Sequence, residues 1–456
     1  MRILVIGGGI TGLVTARELR RNGVAVTLLE AGSRLGGKIG TEVVDGFLVD
    51  RGPDSFLTQN PCAVELCREL GLGDALIAPR PPSTIYVWYG GKLVPVPEGT
   101  GFGIPRDFGP FARSSLFSPT EKLRAGLEFV VPRQRADGDV AVGTFLRRRF
   151  GDALVDRLAS PIIGGVYGTP IDKLSLLAAL PRLREAERRY GSLLRAALAA
   201  RGGTPGTPPG PPPILTLRDG MGALVDRLVA DLGDVDVRTE VAVADIARFA
   251  SGYVATLEDG ARIETDGVVV ATPAPAAARI RGAFAPLAAR TLRAMPSGST
   301  AAVSLGYAES QLGRPLAGHG FLVPPGALKL AACTWSSSKW AGRAPAGAVL
   351  VRATVRDPQL LAAPDDRLID AVHADLALVL GIRGRPVMAS ASRHVGVMPQ
   401  YTVGHLGRVA AVRAALAEHA AIVLTGAAYG GAGIADCIAQ GQAAAQRLID
   451  QVALAA

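Results

Sequence analysis

Residues 2–12, RILVIGGGITG, decide the fold, because they join a short apolar strand to a glycine-rich turn and the start of a helix. The turn reads G-x-G-x-x-G, with its glycines at Gly7, Gly9 and Gly12. We predict a strand over 2–6, a helix over 10–22 and a second strand over 24–29, which together form a βαβ unit. An acid, Glu30, follows the second strand. This motif in this context predicts a dinucleotide-binding domain.

Each part of the turn has a role toward a dinucleotide. Gly7 permits the tight turn, Gly9 lets the backbone approach a pyrophosphate, and Gly12 lets the helix pack closely on the strand. The helix N-terminus at Ile10 and Thr11 attracts the negative charge of the phosphates. A glycine turn that binds no nucleotide is the alternative, and the motif does not separate NAD from FAD.

The residues after the second strand favour FAD. Residues 30–41 read EAGSRLGGKIGT, so Ala31, Arg34, Gly37 and Lys38 follow directly on Glu30. We expect Glu30 to accept hydrogen bonds from a ribose hydroxyl group. A second cluster of glycines and cations at this place is typical of many FAD oxidases and desaturases. A structural β-turn is the alternative interpretation, because Gly-Gly is common in turns.

The composition indicates a globular protein with a large core. Its 456 residues are 48% hydrophobic and 20% charged, and the four cysteines show neither metal-ligand spacing nor a disulfide framework. We therefore expect a cytoplasmic protein with no metal site and no export signal. No uncharged apolar run is long enough for a membrane span, but peripheral membrane contact stays open.

The net charge of +9 is concentrated in one segment. Residues 101–201 contain 17 Lys and Arg against 10 Asp and Glu. No nucleic-acid fold signature accompanies this charge, so nucleic acid is not an expected partner. An acidic small substrate and a solvated helical face are the two interpretations that remain.

The rest of the chain alternates between helical and strand patterns. We predict helices over 61–70, 139–158, 182–200 and 365–380, and a capping box at Ser118 before another helix. Residues 202–213, GGTPGTPPGPPP, are expected to form an exposed loop, because proline removes backbone donors. Strands and a hairpin over 235–271 follow, and a last strand precedes the C-terminal glycines.

The C-terminal stretch GAAYGGAGIADCI, residues 426–438, resembles the flavin amine oxidase superfamily. In that superfamily the chain returns to the dinucleotide domain and places a helix against the flavin ring. The resemblance implies cofactor contacts at Gly426 and Gly433, and helix N–H groups of Ile434 and Ala435 that face flavin N1 and O2. In the first helical turn, an acid and a thiol are expected to stabilise the helix and to be buried, without catalytic roles.

Four stretches together resemble the protoporphyrinogen and coproporphyrinogen oxidases of haem synthesis: DRGPDSF (50–56), PIIGGVYGTPIDKLS (161–175), MPQYTVGHL (398–406) and GGAGIADCI (430–438). The family implies an α/β fold with a discontinuous Rossmann-type FAD-binding domain (1–75, 214–280 and 408–456), an α+β substrate domain (76–100 and 281–407) and an inserted helical domain (101–201). It also implies further FAD contacts, at Gly52, Pro53, Asp54, Ser55 and Val241.

The reaction of this family removes six electrons and six protons from a porphyrinogen, with O₂ as acceptor and hydrogen peroxide as product. FAD carries that chemistry, so no side chain is expected to be catalytic. Among the five histidines, His405 beside Tyr401 is the one with a conceivable acid/base role, but a structural role is favoured. The resemblance leaves open whether the protein contacts a ferrochelatase.

The family also implies a substrate site at Gly165, Tyr167, Gly168 and Tyr86, where the backbone of a turn meets pyrrole N–H groups. Many of its protoporphyrinogen oxidases have an arginine where this chain has Ile85, so the propionates must be held differently, by Lys38 or by the basic segment 101–201.

Coulomb attraction to a basic rim favours coproporphyrinogen III, with four carboxylates, over protoporphyrinogen IX, with two. Protoporphyrinogen IX stays the alternative substrate. More distant alternatives are another amine oxidase or a desaturase, and a flavin-binding protein without catalysis.

Overall fold

The computed structural model describes residues 1–134, 138–201, 212–249, 252–280, 282, 286–417, 419 and 421–455. The predicted proline loop therefore lies almost wholly outside the described residues. In chain order the strands are β1 Arg2–Ile6, β2 Ala25–Leu29, β3 Thr41–Val44, β4 Phe47–Asp50, β5 Phe56–Leu57, β6 Leu76–Ile77, β7 Ile85–Tyr89, β8 Lys92–Pro95, β9 Thr100–Gly101, β10 Ile104–Pro105, β11 Ile214–Leu217, β12 Asp236–Arg238, β13 Val243–Phe249, β14 Gly252–Leu257, β15 Arg262–Thr265, β16 Gly267–Val270, β17 Ser297–Ala308, β18 Gly320–Leu322, β19 Leu330–Thr334, β20 Ala348–Val355, β21 Met388–Pro399 and β22 Ile422–Leu424.

The helices are α1 Ile10–Arg21, α2 Cys62–Glu69, α3 Phe108–Arg113, α4 Pro119–Gly126, α5 Val142–Phe150, α6 Asp152–Leu154, α7 Ser160–Tyr167, α8 Leu176–Ala179, α9 Pro181–Tyr190, α10 Leu193–Arg201, α11 Gly222–Ala230, α12 Ala274–Ala277, α13 Pro286–Arg293, α14 Ser336–Lys339, α15 Pro358–Ala362, α16 Asp365–Leu380, α17 His405–Ala415 and α18 Ile434–Ala455. Within the described ranges, no helix is both long and apolar enough to span a bilayer.

A five-stranded parallel sheet forms the first layer, in the order β12-β2-β1-β16-β22. Its strands come from three distant stretches of the chain, because β12 and β16 follow the helical segment, residues 101–201, and β22 lies near the C-terminus. Helices α1, α2, α11 and α18 pack on one face around a shared apolar core. The glycine turn lies at the carboxyl end of β1, where ligands bind in open α/β sheets.

A second, seven-stranded sheet has the order β21-β17-β20-β19-β18-β7-β8. Helix α16 covers one of its faces, and Leu368, Val372 and Leu376 form a core there with alternate residues of the strands. The opposite face of the sheet points toward strand β4 and the helical segment, because Ser304 and Val87 alternate with the core residues and lie beside those two elements.

The helical segment is built around its own apolar core and a buried charge network. Arg149 is fully buried and forms ion pairs with two buried acids, Glu128 and Glu187. Glu187 also pairs with Arg148 and Arg184. Because these charges satisfy one another, much of the positive charge of the segment is structural.

Two helices predicted here are interrupted. The prediction of one helix over 139–158 is wrong, since the structure has α5, α6 and a π-helical turn over Val155–Ala159, separated by Gly151 with φ +87°. The predicted helix over 182–200 breaks at Gly191, whose φ is +72°. The capping box at Ser118 is confirmed, because its side chain accepts from the backbone N–H of Glu121 and Glu121 reaches back.

Candidate functional site

The first glycine turn has the geometry that a pyrophosphate requires. Gly7 has φ +106°, a left-handed conformation that side chains disfavour. A Cβ on Gly12 would lie 1.9 Å from the carbonyl oxygen of Gly7, so only glycine fits between turn and helix. A Cβ on Gly9 would meet nothing within 4 Å, which leaves open space beside this backbone. The turn therefore fits the phosphates of a dinucleotide next to the N-terminus of α1.

Glu30 is oriented by backbone groups at the end of β2. Its carboxylate accepts hydrogen bonds from the N–H of Gly8 at 2.7 Å and from that of Gly32 at 2.8 Å. Each oxygen keeps a further lone pair that can accept a ribose hydroxyl. Val241 lies beside it, because its N–H donates to the Glu30 carbonyl at 2.9 Å, whereas Ala31 is exposed next to the acid.

The two glycine clusters are joined to each other. The N–H of Gly36 donates to the Gly8 carbonyl at 2.8 Å, and a Cβ on Gly37 would lie 3.2 Å from the Cα of Gly9. The guanidinium of Arg34 donates to three carbonyls of its own loop, those of residues 35, 37 and 39. Arg34 thus holds the loop in shape, and its direct contact with a cofactor stays a prediction.

The C-terminal glycines return to this turn. A Cβ on Gly426 would lie 3.8 Å from the Ala271 carbonyl and 3.9 Å from the Thr11 hydroxyl, and Gly7 packs on the same carbonyl. Helix α18 packs along α1, where the Thr15 hydroxyl donates to the Gly441 carbonyl at 3.1 Å. The two ends of the chain therefore build one site.

Helix α18 presents its free N–H groups at that site. Its first intrahelical hydrogen bond runs from the Cys437 N–H to the Gly433 carbonyl, so the N–H groups of Ile434 and Ala435 precede the ladder. Burial raises the pKa of the Cys437 thiol, which disfavours the thiolate that a covalent tether would use. The helix start and Lys38 fit the electron-rich edge of a flavin ring.

Lys38 is a half-buried cation near the start of α18. Its Nζ donates to the Val397 carbonyl at 3.3 Å, and within the described ranges no carboxylate forms an ion pair with it. Burial lowers its pKa, and the nearby Cys437 opposes that effect. An ammonium in this position can stabilise negative charge on a bound group.

Tyr401 holds the turn before α18. The sequence alone indicated this residue only as the neighbour of His405. The Tyr401 hydroxyl donates to the Ala427 carbonyl at 2.6 Å and accepts from the Gly431 N–H at 2.9 Å. His405 stacks on the Tyr401 ring at 4.2 Å between centroids and is 3% exposed. Burial, and then the nearby Arg408, lower the pKa of His405 to about 4, so the ring is neutral at pH 7 and its role is structural.

The DRGPDSF stretch joins the two sheets. A Cβ on Gly52 would lie 1.8 Å from the Lys38 carbonyl, which places this turn directly on the second glycine cluster. The Asp54 carboxylate accepts from the indole N–H of Trp340 at 3.1 Å and lies 3.5 Å from the Lys339 ammonium. The Ser55 hydroxyl donates to it as well. Nearby Lys339 and Arg352 hold the Asp54 pKa well below its usual range, against the effect of burial.

These side chains are occupied at the domain junction. The predicted cofactor contacts at Pro53, Asp54 and Ser55 therefore stay predictions. The ion pair between Asp54 and Lys339 has no local signal in the sequence, because the two residues are 285 positions apart.

The predicted substrate turn is a helix. Gly165 and Tyr167 belong to α7, and Gly168, with φ +65°, ends it in a left-handed conformation. The prediction of a turn was wrong because glycines in an apolar stretch suggest a break in the helix, whereas tertiary packing keeps these glycines helical. The Gly165 carbonyl accepts a hydrogen bond from Arg356 at 3.2 Å, and the Tyr167 hydroxyl donates to the Ala179 carbonyl at 2.7 Å.

Tyr86 points away from the site. Its ring packs on Trp335 at 5.5 Å in the core under α16, and its hydroxyl donates to the Ala317 carbonyl. Ile85 and Val87 lie on the opposite face of the strand, because side chains alternate along it. This orientation does not favour the predicted contact of Tyr86 with substrate, and Ile85, 42% exposed, occupies the site face in its place.

The chain is similar to known proteins over its whole length. Residues 10–449 match the family described as flavin containing amine oxidoreductase. The coproporphyrinogen III oxidase of Propionibacterium freudenreichii subsp. freudenreichii is 39% identical, covering 100% of this chain and 92% of the relative. That of Bacillus subtilis (strain 168) is 36% identical over 97% and 96% of the two chains. The crystal structure of a candidate protoporphyrinogen oxidase from Exiguobacterium sp. 255-15 has a TM-score of 0.88 at 32% identity and covers 100% and 99%.

Proposed function

The chain belongs to the family of flavin-containing amine oxidoreductases, and we propose that it oxidises coproporphyrinogen III to coproporphyrin III in haem biosynthesis. The electron acceptor is O₂ and the product hydrogen peroxide. One observation carries the proposal: the first glycine turn, Lys38 and the start of α18 come together in one site, in a chain that is 39% and 36% identical to two coproporphyrinogen III oxidases.

FAD is the cofactor, and when bound it supplies the hydride-accepting chemistry. The protein's residues bind and orient it. The glycine turn and the N-terminus of α1 bind the phosphates, Glu30 binds a ribose, and the start of α18 with Lys38 stabilises negative charge on the ring. No side chain has to act as a catalytic acid or base, since bound FAD carries the chemistry, and the low pKa of His405 favours a structural role for that residue.

The experiment follows porphyrin fluorescence in air after mixing the FAD-loaded protein with coproporphyrinogen III or protoporphyrinogen IX. We expect faster oxidation of the tetracarboxylate, with hydrogen peroxide formed in step. Equal or faster oxidation of protoporphyrinogen IX would overturn the substrate choice and leave the family. No oxidation of either porphyrinogen would overturn the proposed function.

Protoporphyrinogen IX is the second candidate substrate, because the similar Exiguobacterium protein is named a protoporphyrinogen oxidase. Ile85 argues against it. Many protoporphyrinogen oxidases have an arginine there for a propionate, and an isoleucine provides no charge.

We also propose a cytoplasmic location, which four free cysteines favour, and transient contact with anionic membranes. Leu123, Leu127 and Val130 are 68%, 48% and 71% exposed and share one face at the end of α4. Leu123→Glu should reduce co-sedimentation with phosphatidylglycerol vesicles, while Leu378→Glu, an equally exposed leucine on α16, should not. Equal sedimentation of both variants and the wild type would refute this contact. Contact with a ferrochelatase stays a prediction that co-purification would test.

A further inference from the structure

Strand β20 carries Arg352 on the face of the sheet that points toward the flavin site, and Arg356 directly follows its last residue. Its apolar residues on the other face lie in the core under α16: Val351, Ala353 and Val355. Because side chains alternate along a strand, Arg352 and Thr354 share the site face, and the same alternation continued by one residue places Arg356 there. Four residues at about 3.3 Å each separate the two arginines by about 13 Å.

Arg352 marks the flavin end of this face. Its guanidinium donates to the Gly52 carbonyl and helps to keep Asp54 ionised. Gly52 itself rests on the Lys38 carbonyl beside the second glycine cluster. Arg352 is therefore committed to the junction between the sheets, and its positive charge is balanced.

Arg356 lies at the other end, against α7. Its Nη2 donates to the Gly165 carbonyl at 3.2 Å, and its Nη1 would be 3.9 Å from a Cβ on Gly164. The stretch around these glycines is the one whose sequence resembles the substrate region of the family. The side chain is half-buried, so its guanidinium is partly shielded from bulk water and still accessible.

The positive charge of Arg356 has no partner of opposite sign in the part of the chain that the structure describes. The adjacent carboxylate of Asp357 is not available, because it caps α15 and accepts from the N–H groups of Gln359 and Leu360. Burial lowers the pKa of Arg356, and no neighbouring acid opposes that effect. A shielded guanidinium with only one carbonyl acceptor lacks the anion that such a group normally has.

Several arginines of the basic segment are already committed to contacts within that segment. Arg147 and Arg157 pair with acids of their own domain, and Arg124 donates to three backbone carbonyls. These arginines of the predicted basic rim therefore serve internal contacts. Arg356 lies outside that segment and contacts α7.

We propose that Arg356 binds a propionate carboxylate of the substrate and takes over the anchoring role for which Ile85 provides no charge. The inference rests on the proposed function, since a tetrapyrrole carboxylate is the anion that the site would receive. The guanidinium has donors left beside its bond to Gly165 and can bind a carboxylate through two parallel hydrogen bonds. Ile85 lies in register with Gly320, Thr334 and Arg352 across the sheet, so the anchor has moved along the same face.

The test compares Arg356→Gln and Arg356→Lys with Arg413→Gln, which removes the same charge from an exposed site on α17. With coproporphyrinogen III, Arg356→Gln should raise KM about 10–100-fold and leave kcat nearly unchanged, because a uniform binding contact is lost. Arg356→Lys should recover part of the affinity, since it keeps the charge without the bidentate geometry. Arg413→Gln should behave as the wild type.

Two outcomes separate this inference from the proposed function. If the wild type oxidises coproporphyrinogen III and Arg356→Gln has an unchanged KM, the anchor is refuted and the function stands. If the wild type oxidises no porphyrinogen, both are overturned. Coproporphyrin III binding, measured by absorbance, gives a second readout: equal affinity for the wild type and a folded Arg356→Gln protein would also refute the anchor.

Discussion

The hydroxyl group of Tyr401 holds the turn before α18 through two hydrogen bonds, and Tyr401→Phe would remove only those two bonds. The hydroxyl donates to the Ala427 carbonyl at 2.6 Å and accepts from the Gly431 N–H at 2.9 Å. The ring itself is 5% exposed and stacks on His405. Phenylalanine keeps the ring and its stacking, so the substitution isolates the two hydrogen bonds.

The magnitude follows from the two backbone groups that lose their partner. Each group left unpaired costs about 1–3 kcal/mol, so the loss of both hydrogen bonds destabilises the attached turn by about 2–6 kcal/mol. If the turn detaches in the apoprotein, FAD has to restore it on binding. At about 1.4 kcal/mol per tenfold change, even the lower value raises the Kd for FAD about 30-fold.

The assay titrates apoprotein with FAD and follows the quenching of flavin fluorescence. The matched control is Tyr307→Phe, which removes a hydroxyl that lies 3.0 Å from the Nδ1 of His373 in the core under α16. We expect Tyr307→Phe to lower the thermal stability and leave the FAD affinity unchanged. Equal FAD affinities for the wild type and Tyr401→Phe would refute the view that this hydroxyl positions the flavin site.

Three further predictions concern the scaffold. Glu187→Ala should lower the free energy of unfolding by about 3–5 kcal/mol, measured in urea, because it leaves Arg149 buried with half of its partners. The native state keeps His405 neutral with a pKa of about 4, below the ordinary 6.5, so protonation of the unfolded chain should lower stability as the pH falls from 6.5 to 4. This loss, about 3 kcal/mol, should be absent in His405→Phe when melting is compared across that range. Gly12→Val should give protein without bound FAD, since its Cβ would collide with the Gly7 carbonyl; flavin absorbance of the purified variant checks this.

The dinucleotide turn could be predicted because its signals are local. The strand 2–6, the turn and the helix from Ile10 follow one another within a dozen residues, and the structure has them at those places. The start of α18 differs by one residue from the start implied at Gly433. Local spacing of this kind reports steric and capping needs that the neighbouring residues alone decide.

The substrate side could not be predicted in the same way, because it depends on contacts between distant segments. Tyr86 follows Ile85 in sequence, but the pairing of β7 with β18 turns its ring into the core. Gly165 was expected in a turn, whereas packing against the sheet keeps it in a helix. The arginine that contacts it, Arg356, lies 191 residues later, directly after β20.

The most informative positive charges of the protein are therefore those that no acid neutralises. Desolvating a cation is costly, and a fold tolerates it when an acid within the protein or a bound anion compensates. Arg149 has its acids inside the helical segment. Lys38 and Arg356 are shielded and have no acid among the residues that the structure describes, and they lie at the two ends of one surface: the flavin end and the α7 wall. Their compensation has to come from what binds there, which is the chemical reason to expect an anionic cofactor at one end and a carboxylate of the substrate at the other.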